Sequence, residues 1–173
     1  MSVSLFRISV GQSNDASKTA GRPLKYLRQA GYAGRIYPIN PRLPEIRGVP
    51  CFPNLKSLPE VPDHVGIVLP ATAVPAALEE CVKKGVPFAT VFSAGFGEQG
   101  TDEGRRAQAR AVAIAREGGL RFMGPNCNGL INFVDAFALT STSAMALTLI
   151  PVYLLQTCRL DSSHPGTSGV ERP

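Results

Sequence analysis

The run Gly124-Pro125-Asn126-Cys127-Asn128-Gly129-Leu130-Ile131-Asn132 follows the strand-like Leu120-Arg121-Phe122-Met123 and brackets amide side chains with glycine and proline. Proline fixes φ and removes a donor, glycine opens backbone conformations closed to other residues, and each Asn offers donors and an acceptor. Such residues at the carboxyl end of a strand build a rigid polar turn that can hold a ligand by hydrogen bonds. The same types also make ordinary turns, so the rest of the chain decides between the two.

Three more stretches carry the same kind of chemistry. Gly11-Gln12-Ser13-Asn14-Asp15-Ala16-Ser17-Lys18 leads from a first strand toward a helix with small, hydrogen-bonding residues, which suits backbone N–H groups to phosphate. It is not the G-x-G-x-x-G fingerprint, because glycine recurs only at Gly21, and a structural turn is the alternative. Asn40-Pro41-Arg42 follows a second strand, where an NAD site places Asp or Glu against the ribose. Arg42 suits a ribose phosphate instead, which points away from NAD and toward NADP or coenzyme A, with a solvated surface Arg as the alternative. Leu69-Pro70-Ala71-Thr72 and Ser93-Ala94-Gly95-Phe96-Gly97 end two further strands and add a sharp turn and a hydroxyl to the same rim.

The elements that position these loops alternate regularly. Strands are expected at 6–10, 35–39, 65–69, 88–92 and 120–123. Helices are expected over 21–30, ended by Gly31, over a segment capped by Thr72 and ended by Gly85, and over 102–117, ended by Gly118-Gly119. Leu24, Leu27 and Ala30, then Val74, Ala77, Leu78, Cys81 and Val82, then Ala109, Val112, Ala113 and Ala115 form the apolar stripes. Repeated βα units predict an α/β fold, a doubly wound parallel sheet of about five strands, with ligand bound beyond the carboxyl ends near the switch point.

The 173 residues, 44% hydrophobic and 18% charged, fit one globular domain. The longest apolar stretch, Ala144 to Leu155, is interrupted by Thr148 and Pro151 and falls short of the roughly 20 residues that span a bilayer, so no membrane partner is expected. The amino terminus has no basic region followed by an apolar run, which makes a cytoplasmic location the expectation. Cys51, Cys81, Cys127 and Cys158 lack C-x-x-C spacing and read as free thiols, not zinc ligands. The net charge of +5 is dispersed along the chain, which fits a small phosphate-rich ligand better than nucleic acid.

Taken in order, Val10-Gly11-Gln12-Ser13 with Lys18 and Gly21-Arg22-Pro23-Leu24, Ile36-Tyr37-Pro38-Ile39-Asn40-Pro41, Ser93-Ala94-Gly95-Phe96 and the Gly124-to-Asn132 run resemble the CoA-binding domain of the NDP-forming acyl-CoA synthetases, the group related to the succinyl-CoA synthetase α subunit. Gln12 departs from the small residue usual there. The resemblance covers residues 3–145 and implies a Rossmann-like domain that holds coenzyme A while a thioester is made. It implies that Gly11, Ser13, Asn14 and Lys18 meet the CoA phosphates, Arg42 the adenosine end, and Ser93, Ala94 and Gly95 the pantetheine, with Pro70 on the same rim. Pro125 and Asn126 would lie near the reacting end. In that family a histidine on a second domain relays the phosphoryl group to ADP or GDP, and a nucleotide-grasp domain completes the enzyme.

Past Leu149 the family likeness stops. The expectation is a CoA-binding domain over 1–149 and a non-family, disordered tail over 150–173, so that this chain alone lacks catalytic residues and would need the missing synthetase domains in trans. His64 and His164 read as surface histidines, and Cys127 as a buried structural thiol. A free-standing nucleotide- or CoA-binding sensor or scaffold is the alternative function. An NADP-dependent oxidoreductase is a weaker one, because no hydride-site base or substrate domain is visible.

Overall fold

A computed structural model describes residues 6–10, 13–15, 17–132, 136–141 and 152–155, the first and last of these as backbone only. In chain order the elements are β1 (Phe6–Val10), α1 (Arg22–Gln29), β2 (Arg35–Ile39), the short hairpin β3 (Glu45–Ile46) and β4 (Val49–Pro50), β5 (His64–Ile67), α2 (Val74–Lys84), β6 (Phe88–Val91), α3 (Asp102–Glu117) and β7 (Arg121–Met123). Three strands follow: β8 (Gly129–Asn132), β9 (Phe137–Thr140) and β10 (Val152–Leu155).

The main sheet has five parallel strands in the order β2-β1-β5-β6-β7, as the βα alternation predicts. Beyond β2, Phe52 forms a parallel bridge with Ile39, its N–H donating to Pro38 O (2.9 Å) while its carbonyl accepts from Asn40 N (3.0 Å). This one-residue strand, which the sequence does not announce, completes the outward order of a Rossmann sheet, third-second-first-fourth-fifth-sixth.

Helices cover the two faces unequally. On one, Val65, Ile67, Ala89 and Val91 of the sheet are buried with Val74, Leu78 and Cys81 of α2 and Ala111 and Ala115 of α3. On the other, α1 packs beside β9, and Leu27, Tyr32, Phe92, Phe137 and Leu139 form a smaller core. β8 and β9 belong to a separate antiparallel sheet, in the order β10-β8-β9. The run read as a turn therefore becomes a strand at Gly129. Described structure also extends past the boundary expected at 149, because Val152–Leu155 pairs with β8, whereas the remainder of the expected tail, 156–173, lies outside the described residues.

Several local expectations need correction. Thr72 does not cap α2; it sits in a 3-10 turn, Ala71–Ala73, and the residue before the helix is Ala73, without a side-chain cap bond. Thr101 does cap α3, its hydroxyl accepting from Gly104 N at 3.1 Å. The buried stripe of α3 is Gly104, Ala111 and Ala115, whereas Ala109, Val112 and Ala113 are exposed. His64 is no surface residue: it opens β5, is only 8% exposed, and its Nε2 lies 2.7 Å from Thr90 Oγ1 on β6.

Candidate binding rim

Parallel pairing brings Val10, Ile39, Ile67 and Val91 level across the sheet, so the loops that follow them, together with the turn after β7, line one carboxyl edge. The chain leaves β1 toward β2 and leaves β5 toward β6, in opposite directions. The crevice between the ends of β1 and β5 is thus the topological switch point where α/β sheets take ligands.

The edge divides into two halves. Over β1 and β2 the loop is tied down by its own side chains. Ser13 N–H donates to Ala20 O (3.1 Å), and Ser13 Oγ accepts from Asp15 N (3.1 Å). Asn14 Oδ1 accepts from Arg47 N (3.2 Å), which draws the β3–β4 turn against the loop. Arg22 reaches back from α1, donating to Ser17 O (2.8 Å) and to Ser141 O at the end of β9 (2.9 Å). The sequence reading gave Arg22 no role, although a cation at the start of a helix, where the dipole disfavours it, is a signal that something else holds it. Lys18 and Arg42 are exposed, and Arg42 N–H is held by Asn40 Oδ1 at 2.8 Å. Lys18 lies 3.9 Å from Asp15, a loose contact that leaves the ammonium in solvent. The hydroxyl and N–H of Ser17 hold the Asp15 carboxyl below its ordinary pKa. Exposed Lys18, Arg42 and Arg47 give this half the positive character that phosphate esters need. Gly11 lies outside the described residues.

Over β5, β6 and β7 the rim is braced through backbone atoms. Ser93 is buried; its carbonyl accepts from Asn126 N (2.9 Å), and its Oγ lies 3.4 Å from Leu69 N, joining all three strand ends. Pro70 and Ala94 are exposed beside this brace. Gly95 has φ +109°, and a Cβ there would stand 3.0 Å from that of Ala71. Glu98, another residue the sequence reading missed, clasps the loop: its carboxylate accepts from Gly95 N (2.6 Å) and from Phe96 N (3.1 Å). Gln108 Oε1 accepts from Gly97 N at 3.0 Å.

In the last turn Pro125 is buried after a cis peptide, and Asn126 adopts a left-handed φ of 52°, which Asn tolerates better than most residues. Gly124 has φ +104°, and a Cβ there would meet Val91 O at 2.3 Å. Cys127 is buried, its Sγ 3.4 Å from Val91 O, as a structural thiol should be. Cys51 and Cys81 are free thiols, and burial pushes the Cys81 thiol up to about 12. Among the described residues no cluster of His, Cys, Asp and Glu could hold a metal, and no helix is long and apolar enough to cross a membrane. The exposed cations of the rim suit an anionic ligand, and among the described residues it presents no nucleophile beside a base.

Fold and rim together define a nucleotide-type binding domain, and comparison with known proteins narrows the class. The chain belongs to the CoA binding domain family, whose model matches residues 8–132. It is 42% identical over 123 residues to acetate–CoA ligase (ADP-forming) I of Archaeoglobus fulgidus, matching 71% of this chain and 18% of that one. It is 39% identical to the α subunit of acetate–CoA ligase (ADP-forming) II of Pyrococcus furiosus, over 71% of this chain and 26% of the relative. Among solved structures it superposes on a dinucleotide-forming acetyl-coenzyme A synthetase 1 of Ca. Korarchaeum cryptofilum with a TM-score of 0.73 and 34% identity, covering 78% of this chain and 29% of that one. The chain is therefore homologous to a part of the ADP-forming acyl-CoA synthetases and spans 18 to 29% of these relatives' lengths.

Proposed function

We propose that this chain binds coenzyme A along the carboxyl edge of its parallel sheet and serves as the CoA-holding part of an ADP-forming acyl-CoA synthetase. The observation that carries the reading is the family match over 8–132, which spans the whole rim from the β1 loop to the β8 turn. Ser13, Asn14 and Lys18, with Gly11, meet the phosphates; Arg42 meets the adenosine 3′-phosphate; Pro70, Ser93, Ala94 and Gly95 flank the pantetheine; Pro125 and Asn126 lie at the thiol end. Two features of the geometry refine these roles. Ser93 and Asn126 are engaged with each other through backbone atoms, so they shape the channel, and Glu98 already occupies the N–H groups of Gly95 and Phe96. The acid–thiol ligase reaction itself requires the phosphoryl-relay and nucleotide-grasp parts, supplied in the same polypeptide or in trans, and the chain works in the cytoplasm.

Calorimetric titration with CoA, dephospho-CoA, NADP and NAD tests this reading. CoA should bind, NAD should not compete, and Arg42→Ala should weaken CoA about ten-fold or more while leaving dephospho-CoA nearly unchanged, as loss of a charge-assisted contact predicts. Equal binding of CoA and dephospho-CoA by the unaltered chain would remove the role given to Arg42. Absence of CoA binding would overturn the reading as a whole.

A further inference from the structure

The β3–β4 hairpin closes through Arg47 and Gly48, the two residues between the paired Ile46 and Val49. Both have positive φ, 53° and 73°, as a type I′ turn requires. Asn-Gly and Asp-Gly are the usual fillers of such a turn, because short polar side chains tolerate the left-handed region and glycine has no Cβ to clash. Gly48 fits that rule and Arg47 does not. A residue held in a conformation it disfavours persists only where its surroundings fix it, and such positions concentrate at ligand sites.

The surroundings of Arg47 do fix it. Ile46 is fully buried, and Cys51 N–H donates to Pro44 O (2.9 Å) across the base of the hairpin. At the tip, Arg47 N–H donates to Asn14 Oδ1 (3.2 Å), and the Arg47 carbonyl accepts from the Arg28 guanidinium in the last turn of α1. The backbone of Arg47 is thus held from the β1 loop on one side and from α1 on the other, while its side chain is exposed. With Oδ1 engaged, the donor end of the Asn14 amide is the end left to meet a ligand, which suits an anion.

The charge of Arg47 reaches the loop as well. Hydrogen bonds from Ser17 are the chief reason that the Asp15 carboxyl sits below its ordinary pKa, and the charges of Lys18 and Arg47 lower it further. A guanidinium beside a loop of small residues offers a planar fork of N–H donors that matches two phosphate oxygens. An exposed turn position with no ligand to meet would be filled with less strain by Asn or Gly.

We propose that Arg47 is a diphosphate-binding residue, carried to the β1 loop by the β3–β4 turn and acting on the charge that CoA and dephospho-CoA share, whereas Arg42 acts on the 3′-phosphate alone. The inference rests on the proposed CoA site. It makes Arg28 and Asn14 positioning residues for Arg47 through its backbone.

The test is calorimetry and thermal unfolding on the full chain, with CoA and dephospho-CoA as the ligands. Arg47→Asn removes the charge and supplies a side chain that the turn prefers. The variant should therefore melt no lower than the parent chain while binding both ligands about ten-fold more weakly. Arg47→Lys, which keeps the charge, should recover part of that loss for both. Equal affinity of the parent chain and Arg47→Asn for both ligands overturns the assignment and leaves the CoA site standing. A loss confined to CoA also overturns it, because Arg47 would then serve the 3′-phosphate. Should Arg47→Asn lower the melting temperature, Arg47→Lys decides: affinity returning toward that of the parent supports the charge contact, and affinity as low as with Asn overturns it. Failure of the parent chain to bind CoA overturns the CoA reading and this inference with it.

Discussion

The two faces of the parallel sheet are built from different materials. The α2–α3 face is a dry layer in which Val65, Ile67, Ala89 and Val91 meet helix side chains, with Val74 and Leu78 fully buried. The opposite face is covered by one helix and an antiparallel hairpin, carries the buried polar pair His64 and Thr90, and retains an open trough. One face spends its surface on stability, and the other, together with the rim above it, keeps polar groups and space for a ligand. The contrast follows from what covers each side: helices with continuous apolar stripes close a sheet, whereas a short hairpin leaves part of it open.

Substitutions can break this contrast. Leu78→Ala, in the centre of the closed face, should have the largest effect, a loss of about 2–5 kcal/mol in urea unfolding, with the CoA affinity of the folded fraction unchanged. A coupled loss of affinity would show that the closed face is not independent of the rim. Arg22→Ala should be smaller in stability, about 1.5–3 kcal/mol, because it removes charged hydrogen bonds to Ser17 O and Ser141 O. It should reduce CoA affinity as well and speed proteolysis within 13–18, since Arg22 ties the β1 loop to β9. A stability loss without an affinity loss would make Arg22 a structural strut alone.

The smallest effect at neutral pH sharpens the comparison by chemistry. Cys81 on the closed face has its thiol raised from 9.0 to about 12, chiefly by burial and further by Glu80. The folded state thus holds this proton more tightly than the unfolded state, so the associated stability is fully present below pH 9 and is lost as pH rises toward 12. Cys81→Ala should therefore flatten the alkaline limb of the stability profile, and a limb unchanged by the substitution would assign it to other groups. At pH 8 a thiol reagent should spare Cys81 in the folded chain and modify it in urea.

Most of the parallel sheet was legible in the sequence, because its strands are short apolar runs and β1, β5 and β6 each lead into a helix that ends at a glycine. Leu24 and Leu27, or Val74, Leu78 and Cys81, stand out from polar neighbours and locate their faces. In α3 they do not: the alanines at 107, 109, 111, 113 and 115 look alike, so the buried set could not be separated from the exposed one by composition. Thr72 was a plausible cap, but a 3-10 turn over Ala71–Ala73 moves the cap position one residue on, to Ala73. The second face was the least legible, since β8 opens inside a glycine- and Asn-rich stretch and His64 is buried by Phe88 and Phe137 from other elements. At the rim the side chains expected to bind were named, whereas the contacts that hold it, Ser93 O to Asn126 N and Glu98 to the Gly95 and Phe96 amides, run through backbone atoms that residue identity does not reveal.

The rival location for a phosphate-bearing ligand is the opposite end of the molecule, where Lys56, Lys83 and Lys84 line a cavity of about 480 Å³ with Asn54 and Glu80. Amide hydrogen exchange with and without saturating CoA separates the two directly. Binding at the carboxyl edge predicts slowed exchange in 13–18, 40–42, 93–97 and 124–128, with the amides of 54–58 and 82–86 unaffected. Protection confined to the lysine-lined cavity, with the four rim segments exchanging as in the free chain, would contradict the account.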